Sequence, residues 1–374
     1  MSVRAKYALS AVLLLTAAVI VGVGLRKGIT ARRETASRGP RTHREISGVA
    51  GLQIDANELR ATAVTPHLEY KITGRENVLW CATFQMAWNE ACDLLGGPIQ
   101  CRGATEMAGI LNKRMVTREA LDAASYMAMA GWTTGDSNDI RLRIRRELER
   151  KFEGAASPEL LSRLDPLPPG WWAAYAYLFK ELPFQWAFLR MRQGLRFAGR
   201  DVESFGIWQL LSDQENEVKA ASQVLVYDHK SPDDFILELK TQSESDRLIL
   251  AKVAPRRTLA ETVSSVQDRV ARSKPGAVEE CSDVLIPVLD FDILRNYAEL
   301  CPPIDMALQQ IRFRLDERGA MLKSEGLMAA SRVDTNLVFD KPFLVMLQRK
   351  DAAQPYFALW VANAELLVPS GQRE

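Results

Sequence analysis

Cys81 is the side chain best suited by type to nucleophilic chemistry, with His229 as a base and Asp228 or Asp233 to orient it. A cysteine attacks as the thiolate, which a base or a helix N-terminus must favour. Its neighbours Trp80, Ala82 and Phe84 are apolar, and free cysteine is among the most buried residue types. The pattern therefore points to a packing thiol and to a protein that is not an enzyme. The three histidines, His43, His67 and His229, are scattered, which argues against a histidine-built metal site. Five cysteines without a C-x-x-C spacing argue against a zinc ribbon or a thioredoxin-like centre. Cys92 and Cys101 could bridge in an oxidising compartment, although buried free thiols are the default. No G-x-x-x-x-G-K-[ST] run occurs, so no phosphate cradle is expected. These residues call for no cofactor and no metal.

Composition narrows the partners. The 374 residues carry 48 Lys and Arg against 47 Asp and Glu, a net charge of +1. No global field recruits nucleic acid. A hydrophobic content of 47% supports a sizeable core in one large domain or two.

The amino terminus has a distinct physical character. Residues 1–6 form a basic tail with Arg4 and Lys6, and Tyr7 to Leu25 then run without a charge. As a helix this run would span about 28 Å, close to the ~30 Å hydrocarbon core of a bilayer. It exceeds the apolar core usual in a cleaved signal peptide. Residues 7–25 are therefore expected to be a single-pass transmembrane anchor. A cleaved signal, leaving a secreted protein, and a buried helix are the alternatives. Residues 26–55 read as a basic flexible linker, whose seven basic side chains between 26 and 44 face one acid, Glu34. Those bases suit anionic headgroups. By charge alone they place the downstream side in the cytoplasm, yet the extracytoplasmic side is the one favoured.

The elements that must position any site follow from apolar spacing. Trp80, Phe84, Trp88, Cys92 and Leu95 mark one face of a helix that Gly96-Gly97-Pro98 ends. Residues 104–115, 138–153 and 258–273 also read as helices. Beyond the break at Pro166 to Gly170, short strands are expected at 171–179, 202–211, 223–228, 235–239 and 248–253. Ile311, Phe313 and Leu315 alternate with Arg312 and Arg314, the period of a strand with one buried face. Residues 343–347 and 356–361 read as a buried hairpin. Helices first and strands later indicate an α+β domain over 56–368, with a tail at 369–374. Residues 318–336 show no firm period, and a loop of that length is usually functional.

Several blocks in order resemble the serpin family. They are Asn77-Val78-Leu79, Phe179-Lys180-Glu181-Leu182-Pro183-Phe184 with Phe197 and Val202, Ile286-Pro287-Val288-Leu289 with Tyr297 to Leu300, Asp316 to Ala320, and Phe339-Asp340-Lys341-Pro342-Phe343-Leu344. The resemblance covers roughly 77–95 and 171–366 and is weak between Gly97 and Gly170. That stretch is shorter than in typical members, so a helix over the main sheet is expected to be reduced or absent. The implied fold is serpin-like, with helices packed on large, mostly antiparallel sheets.

The resemblance also implies a function. A serine-type protease inhibitor of this family offers an exposed reactive loop as bait. After cleavage, the loop's first half inserts as a strand into the main sheet. Residues 318–336 correspond to that loop, with Glu317, Gly319, Ala320, Leu322 and Ser324 as hinge positions. Arg332 and Val333 flank the scissile bond, which suits a trypsin-like partner. Insertion requires alternation, and Ala320, Leu322, Ser324, Gly326, Met328 and Ala330 fall on one face, apart from Lys323 and Glu325. Met321, Leu322, Lys323 and Glu325 interrupt the small-residue run usual after the hinge. The family's polar positions behind the sheet fall at Cys81, Phe84, Tyr175 and Gln309, which reads as loss of the network through which the sheet opens. A non-inhibitory binding scaffold on the same fold is the alternative.

Overall fold

The structure, a computed structural model, describes residues 15–18, 53–103, 105–152, 158–208, 215–278, 283–297, 299–301, 304, 306–318 and 337–371. Over these residues the chain is mixed α+β, as expected, and its strands fall into three sheets.

The six-stranded sheet has the order β2 (Ile54–Asp55), β14 (Leu289–Asn296), β15 (Leu308–Leu315), β1 (Leu15–Ala18), β6 (Trp172–Lys180) and β5 (Tyr126–Trp132). β1 runs antiparallel to both β15 and β6, so those two long strands are parallel to each other. The eight-stranded sheet has the order β12 (Gly276–Ala277), β9 (Val224–Ser231), β10 (Asp234–Leu239), β11 (Asp246–Lys252), β17 (Phe343–Arg349), β18 (Phe357–Val361), β4 (Asn77–Cys81) and β3 (Thr62–Thr65). The four-stranded sheet has the order β16 (Leu337–Val338), β13 (Val284–Pro287), β8 (Arg200–Ile207) and β7 (Leu189–Phe197).

Alternation in β15 puts Ile311, Phe313 and Leu315 into the main core. Phe313 stacks on Phe357 at 4.5 Å, joining the six-stranded sheet to the eight-stranded one. Each such fully buried side chain contributes about 1.5–3 kcal/mol. β10, β11, β17 and β18 are apolar on both faces because helix α6 (Leu259–Arg272) and loops cover what the opposing sheet does not. Thr258 caps that helix by accepting from the Glu261 N–H. Helix α1 (Thr83–Leu95) lies against the inner face of β5 and β6 and ends at Gly96, whose φ of 75° is the left-handed cap that glycine adopts freely. The remaining helices are α2 (Glu106–Leu111), α3 (Ile140–Phe152), α4 (Pro158–Leu161) and α5 (Glu215–Ala221).

Three expectations are corrected here. The first half is not purely helical. Trp80 belongs to β4, all five of whose residues are buried, and a strand buried on both faces carries no alternation to betray it. Of the helix expected to be reduced or absent over the main sheet, absence is corrected. Ile140, Ile144 and Leu148 of α3 pack with Met127, Tyr175 and Tyr177 on its outer face. Of the expected anchor at 7–25, the described part is a strand, β1, and not a helix. The rest of that segment lies outside the described residues. Among the described residues no helix is long and apolar enough to cross a membrane.

Candidate functional site: the two ends of the 319–336 segment and the seam beside β15

The segment leaves from the end of β15, where charge is concentrated. Glu317 is buried, and its carboxylate accepts from Arg190 of β7, which also pairs with Glu203 of β8. The Phe188 N–H donates to the Glu317 carbonyl at 3.0 Å. Burial alone would push the Glu317 carboxyl up, but the Arg190 charge and hydrogen bond outweigh it and hold the group below its usual range. Asp316 is pushed the other way. Its burial outweighs the guanidinium of Arg314, which donates to it at 2.6 Å, and raises its carboxyl. The Arg318 N–H closes the turn onto Asp316 at 2.9 Å. The last described turn is thus fastened to the four-stranded sheet by an ion-pair cluster rather than by apolar packing.

The segment returns at Leu337, in β16, which pairs in parallel with β13. The Leu337 N–H donates to Asp283 and the Phe339 N–H to Leu285. Phe339 sits edge-on to Phe235 at 5.0 Å and packs against Phe343. Below it Lys252, almost fully buried, donates to the Val338 carbonyl at 2.9 Å and to Asp340 at 2.6 Å. The Phe339 to Leu344 block is therefore the footing of the landing end.

Behind β15 the structure corrects the expected loss of polar groups at Gln309, and not at Phe84 or Tyr175. Gln309 is wholly buried and donates to the Cys81 carbonyl and to Thr83 Oγ1, each at 3.1 Å, while accepting from the Tyr297 hydroxyl at 3.1 Å. A buried polar network of Gln309, Thr83 and Tyr297 stands there. It ties the strand beside the seam to the first turn of α1. Thr83 was missed because its partner Gln309 lies more than 200 residues away in sequence. The Tyr175 hydroxyl, on the opposite face of β6, is buried with no hydrogen-bond partner, as the apolar cluster around it leads one to expect.

The other long strand flanking the seam is pinned at its end. Lys180 closes β6 with its ammonium 2.6 Å from Asp246, whose side chain also accepts from Ser243 at 2.6 Å and from the Tyr356 hydroxyl at 3.2 Å. Leu182 and Phe184 follow into the core. The Phe179 to Phe184 block is thus a buried ion pair followed by two apolar anchors.

The remaining predicted positions divide cleanly. Gly319, Ala320, Leu322, Ser324, Arg332 and Val333 lie outside the described residues. Cys81 is buried, its thiol is pushed up to about 11 by burial, and Thr83 donates to its sulfur. His229 is in β9, separated from β4 by β10, β11, β17 and β18, about 24 Å across the sheet. Asp228 pairs with Arg269, and Asp233 with Lys252 and Lys341. No thiol–imidazole pair is assembled from these residues. The default of buried free thiols holds for Cys92 and is corrected for Cys101. Cys101 is bonded to Cys301, with Cα atoms 4.9 Å apart, and Cys92 is a buried free thiol.

Comparison with known proteins gives a limited result. No protein-family model matches the chain, and no curated protein matches it. Among solved structures it is similar to Serpin48, described as a highly specific serpin of the insect Tenebrio molitor, at 13% identity and a TM-score of 0.40. That similarity covers 77% of this chain and 92% of the insect one.

Proposed function

We propose that the chain is a membrane-tethered, serpin-like inhibitor that offers residues 318–336 to a trypsin-like serine protease, with Arg332–Val333 as the scissile bond. The observation that carries this reading is the frame around the segment. It leaves from β15, beside the seam between two parallel strands, and lands in a different sheet, with both ends fastened by buried charge. Attack by the protease serine on the Arg332 carbonyl forms an acyl-enzyme and releases the Val333 amine. The freed stretch from Gly319 through Ala320, Leu322 and Ser324 then pairs with β15 and β6, its even-numbered positions facing the core. The disulfide supports an extracytoplasmic domain, because such bonds persist in oxidising compartments.

A second reading, a non-inhibitory binding scaffold, is favoured by one observation. Part of the seam is already occupied by β1.

The test mixes the full chain with trypsin. Inhibition predicts an SDS-stable complex acylated at Arg332 and a higher unfolding temperature for the cleaved chain. Arg332→Ala should abolish both. Clean cleavage at Arg332 with no complex and no thermal gain would transfer the assignment to the scaffold.

A further inference from the structure

The six-stranded sheet contains a strand drawn from the opposite end of the chain. We infer that Leu15–Ala18, at the centre of the apolar N-terminal segment, is an exchangeable strand of this sheet, which leaves the seam between β6 and β15 when that segment enters a lipid bilayer.

The register shows how it sits. Leu15, Thr16 and Ala17 pair with Lys180, Phe179 and Leu178 of β6, and Thr16, Ala17 and Ala18 with Arg312, Ile311 and Gln310 of β15. Two antiparallel ladders therefore meet on four residues, and β1 holds its flanking strands about 10 Å apart. The occupancy is partial. β6 has nine residues and β15 eight, so most of β6 toward Trp172 has no partner from β1. A short strand with two ladders is held by backbone bonds that water can replace, and its hold is weak beside that of the longer strands around it.

The two locations exclude each other. Leu15–Ala18 is the centre of the uncharged run from Tyr7 to Leu25. If that run spans a bilayer, its centre lies near the midplane, about 15 Å from the nearest polar boundary. It cannot then hydrogen-bond within a folded sheet outside the membrane. The chain between Ala18 and Gln53 holds 34 residues, a reach of up to about 110 Å when extended, so either location is available to a folded domain. The consequence reaches the 319–336 segment. β1 lies beside Arg312, three residues from the end of β15 where that segment departs. Any strand entering the seam from that end must displace β1 first, and bilayer insertion would remove the obstacle. The inference concerns the N-terminal segment and holds whether or not 318–336 is a protease bait.

The test uses the full chain carrying Thr16→Cys with Phe179→Cys, partners in an antiparallel pair at a Cα separation that a disulfide can bridge. The 16–179 bridge should form under mild oxidation in buffer and be identified by mass spectrometry. Vesicles of phosphatidylcholine and phosphatidylglycerol, added before oxidation, should reduce its yield severalfold. Thr16→Cys with Arg312→Cys repeats the test on the other side of β1 should the first variant fold poorly. Ala17→Pro removes a ladder N–H without a new cysteine. It should raise amide exchange in 172–180 and 308–315 to the level of the wild type on vesicles. Absence of both bridges, or unchanged exchange in Ala17→Pro, overturns the strand. A bridge whose yield vesicles leave unchanged overturns the exchange.

Discussion

Glu317 shows how much one side chain contributes where the chain leaves β15. Arg190 serves two carboxylates, Glu317 and Glu203, so neutralising Glu317 relieves crowding at Glu203 while removing one charged hydrogen bond. Such a bond contributes about 1.5–3 kcal/mol. Glu317→Gln is therefore expected to lower stability at neutral pH by about 1–2 kcal/mol, and the sign with pH follows from the carboxyl shift. Glu317 is held below its ordinary value of 4.5. Its contribution is full above that value and lost as pH falls beneath it. Asp316, raised by burial above 3.8, acts oppositely, because its folded form binds the proton more tightly and its charged form is penalised as pH rises. Urea unfolding at pH 7 and pH 3.5 should show the variant's deficit shrinking in acid. An equal deficit at both would mean that Glu317 acts by packing and not by charge. Gln309 teaches the reverse lesson about reading residues. Its identity looks like a lost polar group, yet its amide joins three partners that no local pattern links to it.

At the scale of elements, a single glycine determines whether the four-stranded sheet closes. Gly206 of β8 lies opposite Leu285 with φ at 151°, and a Cβ there would stand 1.7 Å from the Val284 carbonyl oxygen. Backbone cannot yield by that distance, so Gly206→Ala should cost more than about 4 kcal/mol or prevent folding. Gly199 has φ at 83° and open space around it, so Gly199→Ala should cost only about 1 kcal/mol. Soluble yield and urea midpoints of the two variants check the contrast. Comparable losses would deny the close approach of β8 and β13. The same scale explains which elements were legible. α3, α6 and β15 announce themselves because each buries one face, whereas α1 is buried almost all round and is marked by the glycines that end it. β4 is hidden by burial on both faces, and β7 by a register shift between Met191 and Leu195 that breaks its alternation.

For the whole molecule, the covalent link between Cys101 and Cys301 joins the stretch before α2 to the turn after β14 across 200 residues. Both sulfurs sit in a cluster with Trp88, Ile99, Leu111 and Leu300, and Thr105 donates to the Leu300 carbonyl at 2.6 Å beside them. A native bridge of this kind contributes about 2–5 kcal/mol. Cys301→Ser should therefore lower the unfolding temperature by roughly 5–10 °C, and a reductant should do the same to the wild type and nothing further to the variant. Labelling of Cys101 in the unreduced, unfolded wild type would refute the bridge.

By itself the sequence determined the α+β class, the principal helices, the alternating strand that ends at Leu315, the buried hairpin that begins at Phe343 and the uncharged run at the amino terminus. Each of these is written in spacing that a dozen neighbouring residues carry. Only the tertiary structure decided that Cys101 pairs with Cys301 rather than Cys92, that Gln309 joins β15 to α1, that Arg190 holds Glu317, and that Leu15–Ala18 lies between β6 and β15. Those are contacts between residues distant in the chain. Burial and sheet order create them, and no local period encodes which distant partner will arrive.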